Sequence, residues 1–513
     1  MATLTKARTK TPAASKPSAA RPPRLQQFIG GRWVEGGGER EIASVNPADT
    51  RETVAAFRGA NQADAAKALE AAAAAAPAWR DTPAPERGRV VARAVEIARR
   101  RLPELARLMT REQGKILAEA KGELEKGINL LEWFAGEGYR FMGETAPSDL
   151  PQNLLYTLRR PLGVVSVITP WNFPWAIPVW KMAPALVAGN AVVFKPASLV
   201  PAFSVELVKV FEEAGLPGGV MNLILGSGSS VGNLLVEDPR VKAVSFTGSN
   251  EIGRGVHAIA GRRGIRATCE MGGKNPCVIW EDADLDLALG GVLRGAFGAT
   301  GQRCTATSRL LLHERIADTF LERLLAETRK LKVGNGLDPK TTMGPAVDQG
   351  QLDTDLEHIE LAKKEGARLL CGGRRLEAGE LKHGFFVEPT LFDEVRPSMR
   401  LWQEEVFGPV LAAARFKTFD EALRLANDCP FGLTSAIYTQ DLTVAMRFVD
   451  SMDAGMVHVN SPTIGGEPAV PFGGVKGSGV GEREMAKEGV RFFSETKTVF
   501  LDYTGRRRAS NIY

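Results

Sequence analysis

Four short β-rich runs, VVSVITP (164–170), NAVVFKP (190–196), VMNLIL (220–225) and VKAVSFTG (241–248), recur along the chain with helix-length segments between them. No other feature constrains the fold as strongly. Strands that are apolar on both faces must be covered on both faces, and helix-length crossovers make successive strands parallel. A second series follows: NPCVIW (275–280), SRLLLH (308–313), ARLLCGG (367–373), VLAAARF (410–416), TSAIYT (434–439) and MVHVN (456–460), with helical stretches such as 314–330 and 419–427 between them. The pattern predicts an α/β protein with two doubly wound units, whose ligands bind beyond the ends of the strands. A length of 513 residues accommodates them as two or three domains.

Ahead of these units, FIGGRWVEGGG (28–38) reads as a hairpin with glycine turns, and 63–79 is alanine-rich and helical in propensity. A second helix at 86–114 sets Val90, Val91, Ala94, Val95 and Ile97 near helical spacing, its Arg and Lys residues forming a solvated face. The net charge of +5 comes from residues 1–25, where six Lys and Arg stand without an acid. The rest is near neutral, which removes the electrostatic footprint of a nucleic-acid binder. That Pro-, Ala- and Ser-rich segment lacks bulky apolar groups and reads as a disordered tail. Four prolines argue against a transit-peptide helix, and there is no signal-peptide core. No apolar run reaches the roughly 18 residues a membrane span needs. The expectation is a cytoplasmic protein with no membrane or nucleic-acid partner.

Five cysteines (Cys269, Cys277, Cys304, Cys371 and Cys429) show no C-x-x-C spacing, and the five histidines do not cluster with them. Neither a disulfide framework nor a metal site is expected. Cys304, in GQRCTATSR (301–309), is then either a packed thiol or a nucleophile. Four other stretches carry residue types that could serve a nucleophile. TPWNFPW (169–175) presents Asn172, VVFKPAS (192–198) ends with Lys195 near its strand end, TCEMGGKNP (268–276) offers Glu270, and EEVFGPV (404–410) offers Glu405 and Phe407. Singly, each has a plain alternative as a solvated charge or a turn residue.

Together the five stretches resemble the aldehyde dehydrogenase superfamily, in family order over roughly residues 26–502, with PFGGVKGSG (471–479) as a further family-like stretch. The resemblance implies a fold of two doubly wound α/β domains and a small β oligomerisation arm. The expected division is a tail at 1–25, a cofactor domain at 26–142 and 162–272, a catalytic domain at 273–474, and an arm with C-terminal tail at 143–161 and 475–513. LPQNLLYTLRRP (150–161) would form the arm against the chain end, and a homodimer or homotetramer is implied. So is the chemistry. Cys304 is the nucleophile, Asn172 and the Cys304 N–H hold the oxyanion, and Glu270 is the base that activates water on the thioester. Relatives that pass the acyl group to coenzyme A generally lack that glutamate, so water is the expected acceptor.

The implied cofactor is NAD or NADP. Gly228 in GSGSSVG (226–232) and Gly248 and Ser249 in FTGSNEIG (246–253) lie in turns suited to phosphate contact. Trp171 and Ser249 approach the diphosphate, Lys195 the adenine ribose, and Glu405 the nicotinamide ribose with Phe407 beside it. Many NAD-preferring relatives carry a glutamate where this chain has Ser198, so NADP is expected to serve as well or better. Phe173, Trp175, Ile177, Trp180 and Phe472 are candidates for an apolar substrate tunnel, with core packing as the alternative. Arg303 is either a structural ion pair or the group that binds a distal carboxylate. GQRCTATSR with NSPTIGGEPAVPFGG (460–474) is similar to relatives that oxidise α-ketoglutaric semialdehyde. The competing readings are a broad-range aliphatic or aromatic aldehyde dehydrogenase and a catalytically silent nucleotide-binding or structural protein.

Overall fold

The structure is a computed structural model that describes residues 21–507. Most of the expected 1–25 tail therefore lies outside the described residues, as do Arg508, Ile512 and Tyr513. Its last two residues are not tail: Arg24–Leu25 is a strand paired parallel to Asp49–Arg58. Leu25 is the reason, because its side chain is buried in the core.

The first β series builds one sheet. Arg266–Glu270, Val241–Thr247, Val164–Ile168, Ala191–Lys195 and Met221–Leu223 lie side by side in that order, all parallel. The direction of winding reverses between Val164–Ile168 and Val241–Thr247, the position where open α/β sheets leave a crevice beyond the strand ends. Ala176–Ala188, buried along its whole length, crosses this sheet. The hairpin is present as Gln27–Ile29 and Arg32–Val34, turning on Gly30 and Gly31 at φ 61 and 82, and it closes the edge beside Met221–Leu223.

The second series builds a seven-stranded sheet in the order Arg368–Cys371, Thr390–Asp393, Val410–Phe416, Thr307–His313, Asn275–Ile279, Thr434–Tyr438, Met456–Val459. One feature departs from the sequence reading. Arg368–Cys371 runs antiparallel to Thr390–Asp393, a four-residue buried strand too short to stand out from its neighbours.

Helix Gln62–Asp81 starts at a capping box in which Asn61 accepts from the Asp64 N–H and Asp64 accepts from the Asn61 N–H. Helix Ala84–Gln113 buries Val90, Val91, Ala94, Val95 and Ile97 as the spacing predicts. Its basic residues are not uniformly a solvated face. Arg87 is buried, its Nε donating to the Val187 carbonyl at 2.7 Å and its guanidinium also reaching Thr82 O. The carbonyls left open at the end of helix Ala176–Ala188 supply the acceptors that make this burial affordable.

Ser494–Asp502 pairs antiparallel with Asn153–Pro161 in nine-residue register, with Thr145–Ala146 on its far side. The segment before it does not belong with this sheet, contrary to the expected 475–513 grouping. Gly479–Val480 pairs with Arg266–Glu270, and helix Ala486–Phe492 packs on Ala176–Ala188. Buried Val490 and Phe492 supply the apolar face that holds it there. Among the described residues, no helix is long and apolar enough to cross a membrane.

Candidate active site

The carboxyl ends of the first sheet meet the amino ends of the second. Ile168 leads into Trp171 and Asn172, Ala191–Lys195 ends on Lys195, Thr247 leads into Gly248 and Ser249, and Arg266–Glu270 ends on Glu270. From the other side, Cys304 precedes Thr307–His313, and Glu405 and Phe407 precede Val410–Phe416. A cavity of about 440 Å³ at this junction is lined by Trp171, Asn172, Lys195, Gly228, Gly248, Ser249, Cys304, Glu405 and Phe407. With Ile177, ten of the residues singled out in the sequence thus face one space.

Cys304 is half-buried at the end of a turn whose backbone is held in the left-handed region, with Ala299, Thr300 and Gly301 at φ 49, 59 and 68. Such conformations persist in non-glycine residues only where the surroundings enforce them. Here the enforcement is visible. Asn275 Nδ2 donates to the Cys304 and Ala306 carbonyls at 2.8 Å each, and Gln302 Oε1 accepts from the Val347 N–H at 2.9 Å. Gly273 must be glycine, since a Cβ would lie 2.6 Å from the Cys304 carbonyl oxygen. Burial pushes the Cys304 thiol up to about 12, with the Glu405 and Glu270 carboxylates adding to it and Lys126 opposing.

Asn172 is buried, and its Nδ2 donates to the Gln302 carbonyl at 3.1 Å. A carboxamide has two N–H hydrogens. One orients the side chain on the nucleophile's own loop, and the other remains for an oxyanion. The Asn172 carbonyl accepts from Lys115 Nζ at 2.7 Å, and Lys115 pairs with Glu123. Glu123 in turn accepts from the N–H groups of Trp175 and Ala176 at 2.8 and 3.2 Å, capping helix Ala176–Ala188. This buried Lys–Glu pair fixes the Asn172 loop, and sequence reasoning missed it. Both residues look like ordinary helix-flanking charges until the fold encloses them.

Glu270 does not line the cavity; it is buried, and its Oε2 accepts from the Gly474 N–H at 3.2 Å. Gly473, at φ 150, leaves room for it, because a Cβ there would lie 2.4 Å from Glu270 Oε1. Burial raises Glu270 well above the ordinary carboxylate range, and the nearby Glu484 carboxylate adds to the effect. Glu484 is a second group the sequence did not disclose. It is paired with Lys181 and accepts from Trp180 Nε1 at 2.7 Å and Ser245 Oγ at 3.1 Å. Proton affinity at Glu270 is therefore set by a buried polar cluster rather than by solvent.

The features at the other end of the cavity suit a dinucleotide. Ser249 is the exposed N-cap of helix Asn250–Arg263 and makes no side-chain capping bond, so its hydroxyl and the helix N–H groups face outward. Lys195 is buried enough that its ammonium is pulled down to about 8. Glu405 Oε1 accepts from the Gly273 N–H at 2.8 Å, and burial raises its carboxyl to about 7. Gly272 completes that cradle, since a Cβ there would fall 2.0 Å from Glu405 Oε2. Phe407, at φ 62, stands edge-on to Trp171 with ring centroids 5.5 Å apart. Ser198 lies outside the lining and donates its hydroxyl to the Gly226 carbonyl at 3.0 Å.

The aromatic candidates divide. Trp180 and Phe472 are buried and pack against each other at 5.2 Å between centroids, with their planes tilted by 36°, and Ile177 lines the cavity. Phe173 carries Lys115 Nζ 4.2 Å and Arg303 5.9 Å from its ring centre. Trp175 takes the core-packing alternative. It is wholly buried in the core, edge-on to Phe203, over a Gly127 that has no Cβ to obstruct it. For Arg303 the ion-pair alternative is the one present, with Nη2 donating to Glu119 Oε1 at 3.1 Å.

Known proteins share this architecture. The family model described as "Aldehyde dehydrogenase family" matches residues 33–499. Alpha-ketoglutaric semialdehyde dehydrogenase of Bacillus subtilis is 45% identical over 474 residues, covering 92% of this chain and 97% of its own. 2,5-Dioxopentanoate dehydrogenase of Saccharolobus solfataricus is 43% identical over 477 residues, covering 92% and 98%. The crystal structure of betaine aldehyde dehydrogenase from Staphylococcus aureus in complex with NAD+ superposes with a TM-score of 0.91 at 35% identity, over 94% of this chain and 96% of that one.

Proposed function

The chain belongs to the aldehyde dehydrogenase family, and from that premise we propose that it oxidises a carboxylated semialdehyde of the α-ketoglutaric type to the diacid. That it is an NAD(P)-dependent oxidoreductase acting on aldehydes follows from the family. The substrate rests on one observation: relatives named for this aldehyde match nearly end to end.

In the proposed mechanism Cys304 Sγ attacks the aldehyde carbon. The carbonyl π pair moves to oxygen, where the second Nδ2 hydrogen of Asn172 meets it. In the unliganded chain the thiol keeps its proton across the neutral range; as the S–C bond forms that proton passes to solvent water in the cavity, and Lys126 is the cation nearby that favours its loss. NAD(P), when bound, supplies the hydride acceptor that takes the sulfur-bound carbon to the acid level of oxidation. Lys195, Ser249, Trp171, Glu405 and Phe407 are the residues that would hold it, and a buried ammonium, an outward-facing helix start and a glycine-cradled carboxylate fit that group. Cys304 is left as a thioester. Glu270, strongly proton-seeking in its buried cluster, draws a proton from water as the water oxygen attacks the acyl carbon. The C–S bond breaks, and carboxylic acid and thiol are released.

The test is kcat/KM for α-ketoglutaric semialdehyde against pentanal, an aldehyde of equal carbon count without the acid. A preference of about tenfold or more, equivalent to ~1.4 kcal/mol of transition-state binding, is expected. Equal use of the two would reassign the protein to broad-range aldehyde oxidation.

NADP is proposed as the preferred cofactor because Ser198 is small and neutral beside Lys195. Ser198→Glu is expected to lower kcat/KM for NADP at least about tenfold relative to NAD, through repulsion of the 2′-phosphate. A wild-type enzyme that already strongly favours NAD would refute this reading.

The proposed division places the cofactor domain at 24–142 and 162–272 with 477–493 added, the catalytic domain at 273–476, and an arm from 143–161 with 494–502. Leu154, Phe500 and Leu501 are exposed on the arm, which supports a homodimer or homotetramer closed through this sheet. Five unpaired cysteines support a cytoplasmic location.

A further inference from the structure

Several of the cations around the site have acceptors built into the fold. Lys115 is held by Glu123 and the Asn172 carbonyl, Lys181 by Glu484, Arg303 by Glu119, and Arg483 by the Gly474 carbonyl. Among the described residues, Lys195, in the cavity lining, and the buried Lys274 have no such acceptor, and neither does Lys126, which lies outside that lining. It projects from helix Leu117–Arg140, and no hydrogen bond or ion pair joins its ammonium to another described residue. Its Nζ stands 5.5 Å from the centre of the Trp180 ring. A Cβ on Gly466 would lie 3.3 Å from that Nζ and 3.7 Å from the Phe472 ring, so the glycine keeps the approach open. Gly466 also has φ 126, which a side chain would not accept. Lys126 is electrostatically linked to the Cys304 sulfur, to the Glu123 carboxylate, which is itself bonded to Lys115, and to Arg303.

A half-buried ammonium without a partner is unfavourable, and its counter-charge is most economically brought by a ligand. The residues around Lys126 (Trp180, Phe472, Gly466) lie outside the lining of the cavity that gathers the cofactor candidates, while Cys304 borders that cavity. An anion at Lys126 would thus belong to the aldehyde, not to the dinucleotide. Burial lowers the Lys126 pKa, and a carboxylate arriving there would restore the charged form.

We propose that Lys126 is the specificity-determining cation that binds the distal carboxylate of the semialdehyde, over the Trp180 face and through the gap left by Gly466. Arg303, the residue the sequence suggested for this task, is engaged by Glu119. The inference rests on the reading of a carboxylated substrate, and the experiment separates the two. Wild-type enzyme, Lys126→Met and Lys126→Arg are compared by kcat/KM on α-ketoglutaric semialdehyde and on pentanal. The ratio between the substrates is the readout, because any effect of the lysine on Cys304 reactivity or on folding acts on both alike. Lys126→Met is expected to lower the acid-to-pentanal ratio at least tenfold, with Lys126→Arg keeping most of it. Glutarate, a dicarboxylate inhibitor, should lose affinity for the Met variant to a similar extent. A wild-type ratio near one would reject the carboxylated substrate itself and the inference with it. A high wild-type ratio that survives in Lys126→Met, or an equal fall on both aldehydes, would reject Lys126 alone.

Discussion

Cys304→Ala is expected to remove aldehyde oxidation, lowering kcat by about 10⁴-fold or more, while NADP still binds. The sulfur is the only atom lost, and it forms the covalent bond on which every later step depends. The fold has little reason to respond. The turn is held through backbone carbonyls by Asn275, and through the Gln302 side chain, none of which touches Sγ. No other cysteine lines the cavity. Cys269 and Cys277 are enclosed in strands Arg266–Glu270 and Asn275–Ile279, and burial drives both thiols far up. Reduced-cofactor absorbance measures the turnover, and quenching of Trp171 fluorescence on titration with NADP measures the binding. Residual activity within a hundredfold of wild type would show that another group carries the attack. Loss of NADP binding in the same variant would show that the turn, rather than the sulfur, had been damaged.

How much of this was legible in the sequence depends on what each residue needs from the fold. Val164–Ile168, Ala191–Lys195 and Val241–Thr247 are runs of β-branched and apolar residues buried on both faces, and composition alone reveals such strands. Thr390–Asp393 has the same burial but spans four residues, which is too few for a pattern. Cys304, Glu270, Asn172 and Lys195 were found through the family motifs that surround them, and each lies at a strand end or in the turn beside one. Lys115, Glu123, Lys181 and Glu484 stand in no such motif. Their meaning arises from pairings across 8 and 303 positions of chain, made only after helices Leu117–Arg140 and Ala176–Ala188 pack. Arg87 and Lys126 show the same limit in another way. A cation on an amphipathic helix reads as solvated until the neighbouring helix or loop covers it, and one of these two then found carbonyl acceptors while the other did not.

Glu270→Gln is expected to separate the two halves of the reaction. The amide keeps the shape and the contact with Gly474 but cannot take a proton from water, so steady-state turnover should fall by about 10²- to 10³-fold. Attack by Cys304 does not require that proton transfer, and the first turnover should therefore survive as a burst of reduced cofactor close to one per active site. The acyl group then stays on Cys304, where mass spectrometry of the quenched protein would find it as an added mass on the peptide containing Gly301 to Arg309. The pH dependence carries the same assignment. Burial and the Glu484 carboxylate raise the Glu270 pKa, so the basic form gains population as pH rises, and wild-type kcat should climb with pH through that raised value. The Gln variant has no such group and its slow turnover should lack that limb. A variant that loses the burst together with turnover would place Glu270 in the attack step instead. One that keeps both would leave water activation to another member of the buried cluster, with Glu484 the nearest carboxylate named in the electrostatics of Glu270.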